Sequence, residues 1–531
     1  MLHKLTDNVF RGYWPYVIIC TVGVLLYAKS FAFGFTYLDD HVLILNNVAT
    51  LENFWYIFGA FVHGVFPAAQ DTSLYYRPLL TISFMPEAMI GGTIPSFYHF
   101  INVVLHLISA CLVYLFFIKL KYSKRISLLA GLIFVTHPVF VQAVAWIPGR
   151  NDPLLAIFVL LSFIYFLDFI EEEKRKSVVY SVFFFAFALF TKETSVVLPA
   201  LCLLYLWARK ALKKSTLLQF SVGWLSAIVV WFPIRSFVMS DQTQTPFLGM
   251  ISSFVTNVPG TVQMVGKIFF PLNLSVLPVL RDTTYLWGYI AIAIIVGLVV
   301  WQLKDKKAFI HSYRMMLFGA GWFLLFLWPS FIISDPSGST YFLEHRLYVP
   351  LIGLFILVAE SSAGRSLNVM SRKLFVSLSL LVLILFSCIT FVHEDVFSNR
   401  LMFWQSAAVH SPHSSLANKN LGAMYYLDQN YPLAEIYTQK ALALNPEEPM
   451  AHNNLGLIDA ARGKFDDAKK EYFKELSINL FYDSAHYNLG LLYYQMGDFR
   501  NARKQWEQTL MINPNYDGAP QALQELNREG K

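Results

Sequence analysis

The stretch PSFYHFINVVLHLISACLVYLFFIKLKYSKR, residues 95–125, runs apolar and then breaks into four cations, Lys119, Lys121, Lys124 and Arg125. An apolar run of ~20 residues is what a helix needs to cross a hydrocarbon core ~30 Å thick. Working outward, runs of this kind recur from Tyr13 to about His393. The chain of 531 residues is 56% hydrophobic and only 14% charged, against ~25% charged in soluble domains. The expected fold is all-α, with a polytopic membrane body over residues 1–393 built from about eleven spans.

Every second connection between the runs is basic. After the 119–125 cluster come Lys174/Arg175/Lys176, Arg209/Lys210/Lys213/Lys214, Lys304/Lys306/Lys307 and Arg365/Arg372/Lys373. Cation-rich short loops stay on the cytoplasmic side. The amino terminus is therefore expected inside, with residues 36–96 as the first external loop. Residues 147–152, 191–193, 238–284 and 334–345 follow as further external loops. Segment 250–272 is apolar enough to span, but spanning would destroy the alternation, so it reads as an external amphipathic or re-entrant piece. The first run, 13–35, is long and holds Lys29 late, which fits a retained signal-anchor better than a cleaved leader. Cys20, Cys111, Cys202 and Cys388 lie in apolar runs without a CxxC, and read as small packed hydrophobes. The net charge of +6 sits in the inter-span clusters and gives no sign of a nucleic-acid partner.

Beyond about Ser411 the composition turns polar. Leu421-Gly422, Leu455-Gly456 and Leu489-Gly490 recur every 34 residues, as do Ala434, Ala468 and Ala502. That period, with Pro446 and Pro514 closing two of the units, is the tetratricopeptide pattern. Residues 394–411 are expected to be a linker. Residues 412–531 hold three repeats, 412–446, 447–480 and 481–514, with a capping helix over 516–529. Asn420, Asn454 and Asn488 precede each Leu-Gly pair. Such an amide ladder could hydrogen-bond an extended peptide backbone.

Ionisable residues at membrane depth are expensive, ~2.5–3.5 kcal/mol each on insertion scales, and read as functional by default. The expected external ends carry a set of them. Asp39 and Asp40 follow the first run, and Arg77 and Glu87 lie further along the same loop. Arg150 and Asp152 stand in AWIPGRND, Lys192 and Glu193 in FTKETS, and Glu344, His345 and Arg346 in LEHRLY. Carboxylates beside cations suit group transfer from a phosphate-linked donor. One acid accepts a hydroxyl proton, two neighbouring acids split their pKa values, and the cations hold the phosphate. Taken singly, Arg150 could pair with Asp152, and Lys192 with Glu193. His99 and His106 share a helix face seven residues apart and are a possible metal pair. No metal-ligand motif and no Gly-rich phosphate loop stands in the sequence, so ATP-driven transport has no support.

The motifs FTYLDDHVLILNN, YYRPLLTISF, PSFYHFINVVLH, THPVFVQAVAWIPGRND, LFTKETS and EHRLYVPLIG stand in order ahead of the repeats. The whole resembles the transmembrane and tetratricopeptide repeat (TMTC-like) proteins, grouped with the protein O-mannosyltransferases among the GT-C glycosyltransferases. The resemblance implies a polyprenyl- or dolichyl-phosphate sugar as donor and a protein Ser or Thr as acceptor. It also implies catalysis by the acidic pair, Asp39 or Asp40, and an acid of the second external loop at Asp152. Whether a divalent metal is needed does not transfer. The expected protein is then a lipid-phosphate-sugar-dependent glycosyltransferase, in a bacterial inner membrane in preference to the ER. Its carboxy-terminal repeats would face the periplasm or lumen and recruit the acceptor or a partner. Two other readings are a membrane-anchored repeat scaffold for envelope assembly and a lipid-sugar flippase. The flippase would need mid-membrane charges and internal pseudo-symmetry, which the sequence does not display.

Overall fold

Among the described residues of the computed structural model, seven helical segments are long and apolar enough to span a bilayer. They are Trp14–Ala32, Pro95–Lys119, Ile147–Glu172, Lys214–Val238, Leu286–Leu303, Ser312–Phe331 and Arg372–Phe397. The structure describes residues 12–65, 75–239, 247–304, 306–332 and 341–530. Parts of three expected external loops, 66–74, 240–246 and 334–340, lie outside the described residues. No extended strand occurs among the described residues, so the fold is all-α.

The expected count of about eleven is not reached by length and composition. Two of the expected spans are bent pairs: Lys124–Thr136 with Pro138–Ala145, at 51°, and Pro350–Glu360 with Ser362–Val369, at 67°. Counting each pair as one span gives nine. Pro138 breaks the first pair because it has no amide hydrogen to continue the ladder. The second breaks at Ser361, which leaves the helical region and caps the next helix through its hydroxyl to Gly364 N. The remaining two expected spans are the 17-residue helix Arg175–Thr191 and the short apolar segment Glu193–Ala208.

The basic connections meet at one end of this bundle. Lys121 pairs with Glu171 at 2.7 Å and Lys213 with Glu173 at 3.1 Å. Tyr122 Oη donates to Glu360 at 2.8 Å, and Ser123 Oγ to Asn368 at 2.6 Å. Aromatic side chains fill the middle, where Phe116, Phe163 and Phe318 surround Trp322. Helices Lys306–Leu327 and Pro350–Glu360 touch through backbone. A Cβ on Gly353 would lie 2.4 Å from Gly319 O, so only glycine permits the approach.

The described residues divide into two units. One holds those up to Met402 except Tyr341, and the other holds Tyr341 and everything from Phe403 onward. Residues 394–411, expected as a linker, contain a short 3-10 turn at Glu394–Phe397 and the helix Arg400–His410. In the second unit three helix pairs stack: Ser415–Leu427 with Tyr431–Leu444, Ala451–Ala461 with Phe465–Ile478, and Asp483–Gln495 with Phe499–Ile512. Helix Gly518–Arg528 follows. The repeating glycine sits where its partner helix leaves no room for a side chain: a Cβ on Gly490 would lie 2.5 Å from Trp506 Nε1.

Candidate functional site

The site is at the bundle end opposite the basic connections. Just past the first span the chain turns at Tyr37, whose φ is 61°, into the four-residue helix Asp40–Leu43. The two aspartates there differ in environment. Asp40 is fully buried, and its carboxylate accepts from Thr36 N at 2.5 Å, Thr36 Oγ1 at 2.9 Å and Trp146 Nε1 at 3.1 Å. Asp39 is half-buried, and among the described residues no hydrogen bond to its carboxylate occurs. Burial, then the charge of Asp40, push its pKa up to about 7, while Arg77 pulls the other way.

Trp146 leads from Asp40 to the other loops. Its ring lies 5.6 Å from that of His345, and His345 Nε2 is 3.8 Å from Asp152 Oδ2. Lys192 Nζ bonds Asp152 Oδ1 at 2.7 Å. Arg77 Nε reaches Glu193 Oε2 at 3.5 Å, and its plane lies 4.0 Å from the Tyr75 ring. In the amide orientation that satisfies both partners, Asn151 accepts from Arg77 Nη1 at 3.2 Å and donates to Thr191 O. Burial depresses the pKa of Lys192, with Asp152 opposing that shift. The pKa of His345 is driven well down by burial and then by Lys192, Arg346 and Arg77. These causes favour the uncharged imidazole, and among the described residues its Nδ1 is buried without a partner. Among the described residues Arg346 has a single 3.4 Å hydrogen bond, to Ser330 O.

Six of the expected site residues therefore converge: Arg77, Asp152, Lys192, Glu193, His345 and Arg346. Two go elsewhere. Arg150, expected at a donor phosphate, is fully buried, and each of its three nitrogens is bonded within the protein. Its Nε donates to Asn102 Oδ1 at 2.7 Å, Nη1 to Ser83 O and Glu87, and Nη2 to Tyr98 O at 2.9 Å. A buried guanidinium with each of its three nitrogens bonded inside the protein is a brace. Glu344 likewise turns inward, to Lys267 Nζ at 2.6 Å and Ser275 N at 2.8 Å. The neighbour pairings read from sequence are exchanged: Arg150 pairs with Glu87, Lys192 with Asp152, and Arg77 with Glu193.

Sequence reasoning missed Trp146 and Lys267. Trp146 stands inside a quoted motif. Lys267 is a lone cation in the apolar 250–272 segment, which is a reason for notice by itself. That segment forms helices Phe247–Asn257 and Gly260–Phe269, both too short to span. His99 and His106 do not converge. His99 Nε2 lies 3.4 Å from Gly34 O, whereas His106 Nδ1 meets Tyr348 Oη at 2.6 Å. Among the described residues no cluster of three or more His, Cys, Asp or Glu is arranged to hold a metal ion. In the repeats Asn420, Asn454 and Asn488 are all half-buried. Asn488 Nδ2 already donates to Asn453 Oδ1 at 2.9 Å.

Residues 89–239 match the family model described as dolichyl-phosphate-mannose-protein mannosyltransferase, and residues 484–516 match the tetratricopeptide repeat. Protein O-mannosyl-transferase TMTC4 of Homo sapiens is 28% identical over 222 residues, covering 36% of this chain and 29% of that protein. TMTC2 of Mus musculus is 32% identical over 158 residues, covering 28% and 18%. Tmtc1 of Drosophila melanogaster is 29% identical over 187 residues, covering 34% and 21%. Over these aligned parts the chain is similar to the TMTC proteins. The aligned part spans less than a third of each of these relatives. The mannosyltransferase match takes in Asp152, Lys192 and Glu193 and ends well short of Glu344–Arg346. It begins after Asp39 and Asp40, so the acidic pair rests on its geometry.

Proposed function

We propose that this chain is a membrane glycosyltransferase. It would move a sugar from a polyprenyl- or dolichyl-phosphate carrier to a hydroxyl, such as a protein Ser or Thr, on the non-cytosolic face. The observation that carries the reading is the inequality of the aspartates. Asp40 is consumed by its donors, while Asp39 stands unbonded, with a pKa of about 7, within the field of Arg77. A base is most effective when its pKa lies near the working pH.

In this reaction Asp39 takes the proton of the acceptor hydroxyl. The freed oxygen attacks the anomeric carbon from the face opposite the phosphate. The bond from that carbon to the phosphate oxygen breaks, and the lipid phosphate departs with both electrons. Arg77, Lys192 and Arg346 hold the charge that develops on it. They are three cations against the two carboxylates that pair with them, Asp152 and Glu193. His345, neutral and with one open nitrogen, is placed to orient a sugar hydroxyl. The repeats present an acceptor or partner, using the Asn420 and Asn454 amides. A domain joined directly to the membrane body raises the effective concentration of what it binds.

The test is transfer from a polyprenyl-phosphate sugar to a Ser/Thr peptide by the full chain in proteoliposomes. Asp39→Asn should fold and fail to transfer. Wild-type turnover in that variant would remove the mechanism and leave the repeats as the working part.

A further inference from the structure

The loop between the first span and helix Pro78–Gly91 carries a second feature that the chemistry does not use. Between Val42 and Val65 the only charged residue is Glu52. The chain there is apolar on two sides. Tyr56 and Ile57 pack inward on the cluster around Leu43, Ile44 and Phe84. Phe61 lies 5.3 Å from Phe190, two residues before Lys192, and its carbonyl accepts from Tyr76 Oη at 2.9 Å. The other side points away from the protein. Phe54 is 55% exposed, Trp55 71%, Phe58 68% and Val62 54%. The rings of Trp55 and Phe58 are stacked at 6.4 Å across the first turn of the short helix Tyr56–Gly59, and Val62 is exposed in the turn that follows it.

An uncharged ridge of stacked aromatic rings is not an ordinary water-facing surface. What covers it is indicated by its neighbours. Glu52 lies beside Gly92, and helix Val48–Leu51 packs on Pro78–Gly91. From there Ile90, Ile94, Phe97 and Phe100 are also outward and exposed, and the last two lie on the outer surface of the span Pro95–Lys119. The ridge is thus continuous with a surface that faces lipid. Aromatic residues concentrate where hydrocarbon meets headgroups.

We infer that the Phe54–Val62 ridge is embedded in the bilayer interface, and that it holds the loop bearing Asp39 at headgroup level. The occupant is the lipid surface itself. The inference uses only the membrane body and stands apart from the transferase reading.

The test is site-directed spin labelling of the full chain in nanodiscs of phosphatidylethanolamine and phosphatidylglycerol. Cys388, the one exposed native thiol, is replaced by Ser. Labels go on Phe58→Cys and Val62→Cys, with Asp466→Cys on the exposed surface of the repeats as the aqueous reference. Both ridge labels are expected to collide with oxygen in preference to a nickel chelate, at a depth of ~5–10 Å below the headgroups. Chelate accessibility equal to that at 466 would place the ridge in water and overturn the inference. Labels immobilised and shielded from both reagents would overturn it in favour of a protein partner.

Discussion

Two neighbouring regions at the same end of the bundle are both built from buried charges, and they differ in how completely those charges are used. In the first, Arg150 spends its donors on Glu87, Asn102 and two carbonyls, and Asp40 receives Thr36 and Trp146. In the second, among the described residues, Asp39 has no bonded partner, His345 keeps a buried nitrogen open, and Arg346 has one long contact. Saturation is what a scaffold needs, because an unpaired polar group in low dielectric costs free energy with no return. Unsatisfied groups persist where a ligand is to complete them. On the proposed reading this contrast sorts Asp40 and Arg150 with support, and Asp39, His345 and Arg346 with chemistry.

The largest effect that can break this contrast is on turnover. Asp39→Asn should lower transfer by ~10²–10⁴-fold, the usual worth of a general base, with expression and melting behaviour retained. Asp39 should also set the pH dependence, with transfer rising as pH climbs through about 7. The sign for stability is opposite. The folded pKa lies above the ~3.9 of an unfolded aspartate, so the stability linked to this group is full at low pH and is lost as pH rises through about 7. Asp39→Asn should therefore raise the melting temperature at alkaline pH and leave it unchanged in acid. An Asp39 variant that melts lower at every pH would make it a support residue like its neighbour.

Next in size is the closed region. Glu87→Ala should cost ~3–5 kcal/mol, because it strands a buried guanidinium, and should appear as lost folded yield in detergent. Glu87→Leu with Arg150→Met, which removes both charges, should recover much of that yield. If the double variant folds well and still transfers, Arg150 has no part in holding phosphate. If it folds and donor binding is lost, the assignment of Arg150 as a brace is wrong. Smaller is the effect of Arg346→Gln, ~1.5–3 kcal/mol for a lost charged hydrogen bond, read as a raised KM for the lipid donor. The smallest is Asn488→Ala. Its bond to Asn453 is worth ~0.5–1.5 kcal/mol and should appear only in chemical denaturation of the repeats.

Much of the fold was legible because it is written in runs and periods. Span-length hydropathy marks the membrane body, and the 34-residue recurrence marks the repeats. The bends were less so: Pro138 announces one, but Ser361 is an ordinary cap until the chain is seen to turn there. At the site, the residue types and their common end were legible, and the partnerships were not. Arg150 with Asp152 and Lys192 with Glu193 are close in sequence, but side chains one or two positions apart point in different directions on a helical backbone. The pairs that form are Glu87–Arg150, 63 residues apart, and Asp152–Lys192, 40 apart. Separations of that size are set by how the spans pack.

The Glu87–Arg150 clasp has a consequence for biogenesis. The acid is synthesised first, and its cation arrives only after the span Pro95–Lys119 and the bent pair behind it have been made. Until then Glu87 is a carboxylate bound for a buried position with nothing to neutralise it. A chain ending before residue 150 carries that carboxylate without its partner, whereas one long enough to bring residue 150 out of the ribosome and into the membrane carries both halves of the clasp.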